Sequence, residues 1–480
     1  MLEILSHQYL KSYINQNGST WHNLYTFGRL VSLSLRKREN YLINSEIFLT
    51  TKCYPALLIS LFLHKADSIL VLSEKNIKNL NDYFPVLEKI GFKFQIKSNM
   101  IFFSTHKIHF LTLHELIKQN KYFEFSLHSI IFTDTKNFKV DLRNSLSISL
   151  KKKHWIENVK NDSSINSEIK DIYNQLKKNF FLRALPNKNY VFLYESEIKF
   201  LKNLFCKFSY LSARFLQLKK CLDSNWAAWV VLDFENFEWI LNCEPMDELF
   251  EIKKLLNVNH IIYLSSLRKD VFHEYKVNRK YLHLDKVINI KSDFKEKKFS
   301  IYAPHRQMMP NNPEFFNSII QKCHNLILLR KGFTVILFND KTLMFRVATD
   351  LASKHGKHIV LESNPQKNQI LCSSYQWWLN NFQFCLTPNQ IVIPLLPIPN
   401  MSEPYIQLSV SNKKKESKDW FREFLLPETF ETLDRAIAPL RRNSGGLIIL
   451  DGRINNRKWG RDILEMLQPS EVIPYIFPFN

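Results

Sequence analysis

The chain has 480 residues, of which 45% are hydrophobic, and this combination excludes a protein that is disordered throughout. It carries 66 lysines and arginines against 45 acidic residues, and the resulting net charge of +21 favours a polyanionic partner such as a nucleic acid. A lysine-rich composition bias would raise the charge in the same way, so the charge alone does not identify the partner.

Cysteine usage and apolar runs indicate where such a chain resides. None of the seven cysteines lies in a CxxC pair, which argues against a zinc ribbon, and their odd number fits a reducing compartment. The first residues lack the pattern of a signal peptide. The longest apolar run, 53–63, is too short to span a bilayer. We therefore expect a cytoplasmic protein without membrane association, and a buried helix at 53–63.

The first 138 residues alternate helical patterns with short apolar runs. Helical spacing marks 27–35, 75–90 and 113–119. Short apolar runs typical of strands occur at 68–72, 93–96, 100–103, 108–112 and 129–132. Strands that alternate with helices predict an α/β domain with a mainly parallel sheet.

The pattern changes twice further along the chain. Residues 139–235 read as long helical segments, and the alternation returns at 239–242 and 261–264. We therefore predict a first α/β domain made of 1–138 plus 236–290, with a helical insertion at 139–235. A second α/β domain is predicted at 299–480, with strands at 334–338, 358–361, 370–372, 390–393 and 446–450.

The segment 427–467 resembles the C-terminal end of the DinG-type (XPD-like) superfamily 2 DNA helicases. In that family a helix is followed by a strand that ends in Asp-x-Arg and by a Trp-Gly-Arg helix. The matching residues here are Asp451, Arg453, Trp459, Gly460 and Arg461. Weaker similarities follow the family's order along the chain, at 68–80, 108–118, 129–142, 263–267, 332–348, 370–385 and 391–404. The resemblance implies two RecA-like parallel-sheet domains, ATP hydrolysis and DNA binding.

The ATP-binding loop of that family is poorly preserved. Such a loop needs glycines, so that backbone N–H groups can surround the phosphates, followed by a lysine and a hydroxyl residue. The matching stretch is 49–54, where Lys52 stands in the lysine position, Thr51 precedes it and Cys53 replaces the hydroxyl residue. No glycine lies between Gly28 and Gly91. We therefore expect the loop not to bind ATP and Lys52 to be a solvated charge.

The acidic motif and the arginine motif have also changed. Thr133 stands where the resemblance implies the metal-holding aspartate, and Asp134 stands where it implies the catalytic glutamate. A turn-forming role for Asp134 is the alternative, which we prefer. In the arginine motif, Arg442 keeps a position that reaches the γ-phosphate in relatives, but Pro439 replaces the other arginine and should disturb its helix. Arg441 and Arg442 would hold an anion or form a solvated face, and the sequence does not choose.

Two further family features are absent or altered. Trp378 survives from the fifth motif without its acidic neighbours, so Trp377 and Trp378 are interpreted as core residues. No cysteine lies between Cys53 and Cys206, where some relatives hold an iron–sulfur cluster, so no such cluster is predicted. We predict no metal and no cofactor, with ATP and magnesium relevant only if the motor is still active.

Three functions are compatible with these observations. The first is a nucleic-acid binder with a lost or weakened ATPase, whose partner is single-stranded or forked DNA, or RNA. In relatives, the positions of Ser73, Asn339 and Lys341 face the bound strand. The second is an active ATP-dependent helicase with a divergent site. The third is a protein-interaction scaffold that no longer contacts nucleic acid.

Overall fold

The computed structural model describes residues 1–474, apart from residues 18–22, 46–50, 120–126, 134–137, 157–162, 187, 211, 257–259, 266–283, 291–296, 330–331 and 383–384. Within these limits the strands form three sheets, of eight, four and seven strands. We call the unit around the eight-stranded sheet the first lobe and that around the seven-stranded sheet the second lobe. The unit around the four-stranded sheet is the inserted subdomain.

The chain begins with two helices and then alternates strands with helices. The helices are α1 (Leu2–Asn17), α2 (Leu24–Lys37), α3 (Tyr54–His64), α4 (Glu74–Leu80), α5 (Phe84–Lys89), α6 (Leu113–Gln119) and α7 (Phe138–Leu146). The strands are β1 (Tyr41–Asn44), β2 (Ser68–Val71), β3 (Gln95–Lys97), β4 (Met100–Phe102), β5 (Lys107–Leu111) and β6 (Ser129–Phe132). The predicted strands of this region and the helices at 27–35 and 113–119 are confirmed, whereas the helical segment predicted at 75–90 is divided into α4 and α5, and β1 is an additional strand.

The inserted subdomain follows α7, and the chain then returns to the first lobe. The subdomain contains β7 (Ile148–Leu150), α8 (Lys152–Ile156), α9 (Ser163–Leu182), β8 (Tyr190–Phe192), α10 (Glu195–Lys207), α11 (Ala213–Asp223), β9 (Trp226–Asp233) and β10 (Glu238–Pro245). The returning elements are α12 (Glu248–Leu256), β11 (His260–Ser265) and β12 (Lys286–Asn289).

The second lobe repeats the α/β alternation. Its strands are β13 (Phe299–Tyr302), β14 (Thr334–Phe338), β15 (Ile359–Leu361), β16 (Ile370–Ser374), β17 (Gln390–Ile393), β18 (Gly446–Ile449) and β19 (Ser470–Val472). Its helices are α13 (Phe315–Leu329), α14 (Lys341–His355), α15 (Tyr375–Asn381), α16 (Pro404–Lys415), α17 (Leu426–Ala436), α18 (Ala438–Asn443), α19 (Arg453–Asn456) and α20 (Trp459–Met466). The five strands predicted here are confirmed.

Both lobes are organised by parallel strands. The order in the first lobe is β12-β1-β11-β6-β2-β5-β4-β3, and only the β3–β4 and β4–β5 pairs are antiparallel. The order in the second lobe is β15-β16-β14-β17-β18-β13-β19, and its described pairs are all parallel. The central strands are apolar along their length because helices cover both faces of each sheet. The carboxyl ends of these strands therefore form an edge where ligands can bind.

The inserted subdomain differs from the predicted one. It holds an antiparallel sheet in the order β7-β10-β9-β8, so the insertion is not purely helical. The stretch 239–242, which was assigned to the first lobe, lies in β10 and pairs with β9 as a hairpin. β10 has alternately buried residues, whereas β9 buries both Trp229 and Val230, because helices of the subdomain cover one face of the sheet and α16 packs on the other. The sequence of this region predicted helices because its helical segments are longer than its strands.

The hydrophobic run at 53–63 is also explained by the fold. Nine of the eleven residues of α3 are buried against α1, α2 and the first sheet. Across the part of the chain that the structure describes, helices of the length and apolar character needed to traverse a bilayer are not found.

Candidate nucleic-acid interface

The carboxyl end of β1 is where the sequence placed the ATP-binding loop. Its last residue, Asn44, is buried and donates from Nδ2 to Asn289 Oδ1 at 3.2 Å. The next residue, Ser45, is also buried, and its backbone N–H donates to Ser265 O at 2.8 Å. These two side chains are neutral, so among the residues that the structure describes directly after β1 there is no carboxylate for a cation.

The predicted nucleotide residues Thr51 and Lys52 lie after this edge. They belong to a short 3-10 turn, Thr51–Cys53, that leads directly into α3, and Lys52 is exposed. Cys53 is buried in the core of the first lobe, which leaves its thiol facing apolar side chains. Residues 46–50, including the first part of the predicted loop, lie outside the described residues. The expected inability of this loop to bind ATP therefore stays a prediction.

Thr133 occupies the position that the resemblance gives to the metal-holding aspartate. It follows β6, is buried, and donates from Oγ1 to Val71 O at 2.9 Å while its N–H donates to the same carbonyl oxygen at 3.2 Å. The side chain is thus bound to the neighbouring strand β2. Asp134, the predicted catalytic residue, lies outside the described residues.

The arginine motif is interrupted at Pro439, as the sequence predicted. Helix α17 ends at Ala436, and α18 begins at Ala438 with the proline in its first turn. The guanidinium of Arg441 is buried, pairs with Asp434 at 2.8 Å and donates to Gln468 O at 3.0 Å. Arg441 is therefore a structural residue, and neither alternative weighed for it is correct. Arg442 is half-buried on α18.

The Asp-x-Arg motif has a clear structural role. Asp451 is completely buried, and its carboxylate accepts from Leu396 N at 2.9 Å and from Arg453 Nη2 at 2.6 Å. The glycine of the following motif is required by packing, because a Cβ on Gly460 would lie 1.9 Å from Ile454 O. These residues hold the loop after β17 and the turn between α19 and α20, which gives the motif a structural role in the second lobe.

The three predicted nucleic-acid contacts lie at the carboxyl ends of strands in both lobes. Ser73 follows β2 and caps α4, where its Oγ accepts from Asn76 N at 3.3 Å. Asn339 follows β14 and donates from Nδ2 to Ile398 O at 2.9 Å. Lys341 is exposed in the first turn of α14, whose N-terminus is capped by Asp340. The fold thus places all three at strand ends, while their contacts with a nucleic acid stay a prediction.

Trp378, the remnant of the fifth motif, is a core residue as predicted. It is fully buried in the second lobe and donates from Nε1 to Ala436 O at 2.9 Å. The ring therefore cannot stack on a nucleic-acid base.

A polar cluster that the sequence did not indicate joins the two lobes. Arg143 on α7 of the first lobe lies with Nε 2.6 Å from Glu248 Oε1 and Nη2 3.7 Å from Glu428 Oε1, on α17 of the second lobe. The hydroxyl of Tyr405, on α16, donates to the same Glu248 oxygen at 3.1 Å. We call Arg143, Glu248, Tyr405 and Glu428 the interlobe cluster. Its members are far apart in sequence and carry no motif, so only the fold could identify it.

An apolar contact extends this connection to the inserted subdomain. Tyr190 and Trp229 of its sheet pack on Tyr405, Ile406 and Val410 of α16. The Tyr190 hydroxyl also donates to Ser402 O at 2.9 Å. The second lobe is therefore held by both the first lobe and the inserted subdomain.

Solved structures of XPD helicases have this fold. The structures described as "XPD_APO" and "XPD_Helicase" match with TM-scores of 0.56 and 0.57 at 14% and 13% sequence identity, and cover 93% and 94% of this chain and 99% of each of those chains. The structure of S. tokodaii Xpd4 matches with a TM-score of 0.58 at 12% identity, over 94% of this chain and 100% of that chain. No family model and no curated protein matches the sequence. The chain thus shares the α/β fold of these XPD structures.

Proposed function

We propose that this chain is a helicase-derived protein that binds single-stranded or forked nucleic acid and no longer hydrolyses ATP. The observation that carries the proposal is the hydrogen bond from Thr133 Oγ1 to Val71 O, at 2.9 Å. Magnesium at phosphate sites is held by carboxylates together with the phosphates. A buried neutral hydroxyl that is bound to the backbone supplies no charge for such an ion.

The surrounding edge supports the same conclusion. Asn44, Ser45 and Ser265 are buried and neutral at the ends of the two strands β1 and β11. Because they are short and uncharged, they cannot balance the charge of a magnesium–triphosphate complex. The core of the lobe does not depend on these polar positions, which explains how the fold can persist without catalysis.

Nucleic-acid binding is supported by charge and by position. The net charge of +21 would draw the chain to a phosphate backbone through counterion release. Ser73 at the end of β2 and Lys341 beyond β14 place one polar and one basic group at the ligand-binding edges of the two lobes. We infer that a strand crosses both lobes along these edges.

The interlobe cluster supports a static binding role. Domain closure in motor proteins moves one domain against another about a hinge. Moving α17 away from α7 here would separate Glu428 from Arg143 and expose the contact between Tyr405 and the guanidinium. Because the other carboxylate, Glu248, is also buried, such a motion would leave charges poorly compensated. The lobes are therefore expected to keep one relative position.

The proposal is tested by measuring binding and hydrolysis on the same preparation. Fluorescence anisotropy with a labelled dT15 oligonucleotide should show binding without ATP that weakens steeply between 50 and 200 mM salt. Phosphate release with and without DNA should stay at the background level and be unchanged in Lys52→Ala. DNA-stimulated hydrolysis that disappears in Lys52→Ala would instead show an active helicase. Absent or salt-insensitive binding would favour a protein-interaction scaffold.

A further inference from the structure

A cavity of the first lobe lies away from the predicted ATP-binding loop. It has a volume of 220 Å³ and opens at the carboxyl ends of β2 and β6 and the start of α6. Strand β6 is separated from β1 by β11, so the cavity and the predicted ATP loop occupy different parts of the edge. The volume is below the 300–1,000 Å³ typical of sites for drug-sized ligands, so a single ring fits better than a whole nucleotide.

The floor of this cavity is apolar and held rigid. Val71 and Phe132 are the last residues of β2 and β6 and are directly paired in the parallel register. The Phe132 ring stacks on Tyr263 with centroids 5.3 Å apart, and Phe138 meets it edge-on at 4.9 Å. Val71, Phe132 and Phe138 are nearly fully buried, so the floor offers an entering ring a small apolar contact and not a stacking face. Because this floor is already packed, little order has to be gained on binding.

The rim of the cavity carries hydrogen-bonding groups of both kinds. Asp141 and Asn144 lie one turn apart on the same face of α7, and Ser73 faces the cavity from the head of α4. A carboxylate accepts hydrogen bonds, whereas an amide both donates and accepts, and the Ser73 hydroxyl can still donate while it caps α4. The carboxylate at the rim disfavours a phosphate, so the ligand is a neutral ring and not an anion.

We propose that this cavity takes one unstacked cytosine, a single-ring nucleobase that carries an exocyclic amino group, from a strand bound across the first lobe. Asp141 accepts from the amino group, Asn144 pairs with the adjacent ring edge, and the base contacts the apolar floor of the cavity. A carboxylate that accepts from such an amino group is a known means of base recognition. This proposal rests on the proposed function, because the strand delivers the base. It adds a base preference to a protein whose other predicted contacts are to the strand's backbone.

The test compares dC15 with dT15, which have equal length and charge, by anisotropy with the full chain. The wild type should bind dC15 about tenfold more tightly, since one base read by specific hydrogen bonds commonly accounts for a factor of this order. Ser145→Trp, which fills the cavity from its half-exposed rim, should abolish the preference and leave the affinity for dT15 unchanged. Asp141→Ala, which removes the acceptor for the amino group, should do the same.

The matched control is Asn317→Trp, which places the same side chain beside a cavity of the second lobe and should keep the dC15 preference. Equal binding of the two oligonucleotides by the wild type, or a preference that survives Ser145→Trp with unchanged thermal unfolding, would overturn the base site. Failure to bind either oligonucleotide would refute the proposed function instead. In that case a titration with free deoxycytidine tests whether the cavity binds the base without a strand. A rise in the unfolding temperature of the wild type that is lost in Ser145→Trp supports the base site, and the absence of such a rise refutes it.

Discussion

The guanidinium carbon of Arg143 lies 3.8 Å from the centre of the Tyr405 ring, so a side chain of α7 in the first lobe stacks on a side chain of α16 in the second. Arg143 and Glu248 retain only 13% and 8% of their side-chain exposure, which makes their 2.6 Å contact a largely desolvated one. Removing one partner of such a pair leaves the other charge buried. The interlobe cluster is therefore the place where the relation between the lobes can be tested.

Arg143→Ala should lower the free energy of unfolding by about 3–5 kcal/mol, because Glu248 loses its cation and Tyr405 its stacking partner. Urea unfolding followed by fluorescence and circular dichroism measures this change. The matched control is Arg422→Ala, whose 4.0 Å pair with Asp419 is solvent-exposed and should change the stability by less than about 1 kcal/mol. Equal effects of the two variants would contradict a desolvated interlobe cluster.

Glu428 should make this region less stable as the pH rises. Burial raises the pKa of its carboxyl from 4.5 to about 7, against the opposing charge of Arg143. The folded state therefore holds a proton that the unfolded state releases above pH 4.5, and the free energy of unfolding falls between pH 4.5 and 7. Nearby Lys139 lowers this pKa, while Glu431 and Glu248 raise it.

The measurement is the difference in stability between the wild type and Glu428→Gln across pH 4.5 to 8. The wild type should lose stability relative to the variant up to about pH 7 and then remain level. Because 31% of the Glu428 side-chain surface is exposed, solvent should make the loss smaller than for a fully buried carboxyl. A relative gain with rising pH would show that the pair with Arg143 outweighs burial.

His260 should produce the opposite trend in the first lobe. It is buried between Ser34 Oγ and Ser129 Oγ at 3.0 and 2.9 Å, and burial lowers its pKa from 6.5 to about 4. The stability from the neutral ring is complete above pH 6.5 and is lost as the pH falls towards 4, by on the order of 2–3 kcal/mol. The unfolding temperature of His260→Asn should therefore fall less than that of the wild type as the pH is lowered from 6.5 towards 4. His114→Asn, at an exposed position of α6, should retain it.

Asp451→Ala should destabilise the second lobe by about 3 kcal/mol. The substitution removes the acceptor for Leu396 N and for the Arg453 side chain from a fully buried position. The loop after β17 should then be cleaved faster by protease, together with a lower urea midpoint. Asp462→Ala, on the exposed side of α20, serves as control and should leave both quantities unchanged.

Lys341→Ala tests the proposed path of the strand across the second lobe. Losing one phosphate contact should weaken dT15 binding and reduce the slope of log affinity against log salt by about 0.7. Lys357→Ala removes the same charge just before β15, at the opposite edge of the sheet, and should leave the slope unchanged. Similar losses in both variants would indicate a general effect of charge and not a contact at the strand end.

The sequence predicted most strands of both lobes because buried parallel strands are short apolar runs that stand out between helices. β1 was not predicted, since its four residues follow α2 after a short polar turn and end in Asn44. β10 was predicted as a strand but assigned to the wrong sheet. Local periodicity identifies a strand, whereas its sheet depends on which distant strand it pairs with.

The residues of the candidate site divide in the same way. The replacement of the magnesium-binding acid by Thr133 is visible in the sequence, but the hydroxyl's bond to Val71 O depends on the neighbour of β6 in the sheet. The sequence could not distinguish an anion-binding Arg441 from a solvated one, and the fold buries it against Asp434. The type of a side chain can be read at its position in the sequence, whereas its hydrogen-bond or ion-pair partner depends on which distant residues the fold brings next to it.

The sequence by itself determined the α/β class and the positive charge, and it predicted the loss of the residues that ATP chemistry needs, because composition, periodicity and motif spacing are properties of the linear chain. Only the tertiary structure decided that Arg143 of α7 pairs with Glu428 of α17, that the insertion carries a sheet, and that a cavity opens beside Ser73. Each of these joins residues from separate elements, and burial and hydrogen bonding between such residues are set by packing.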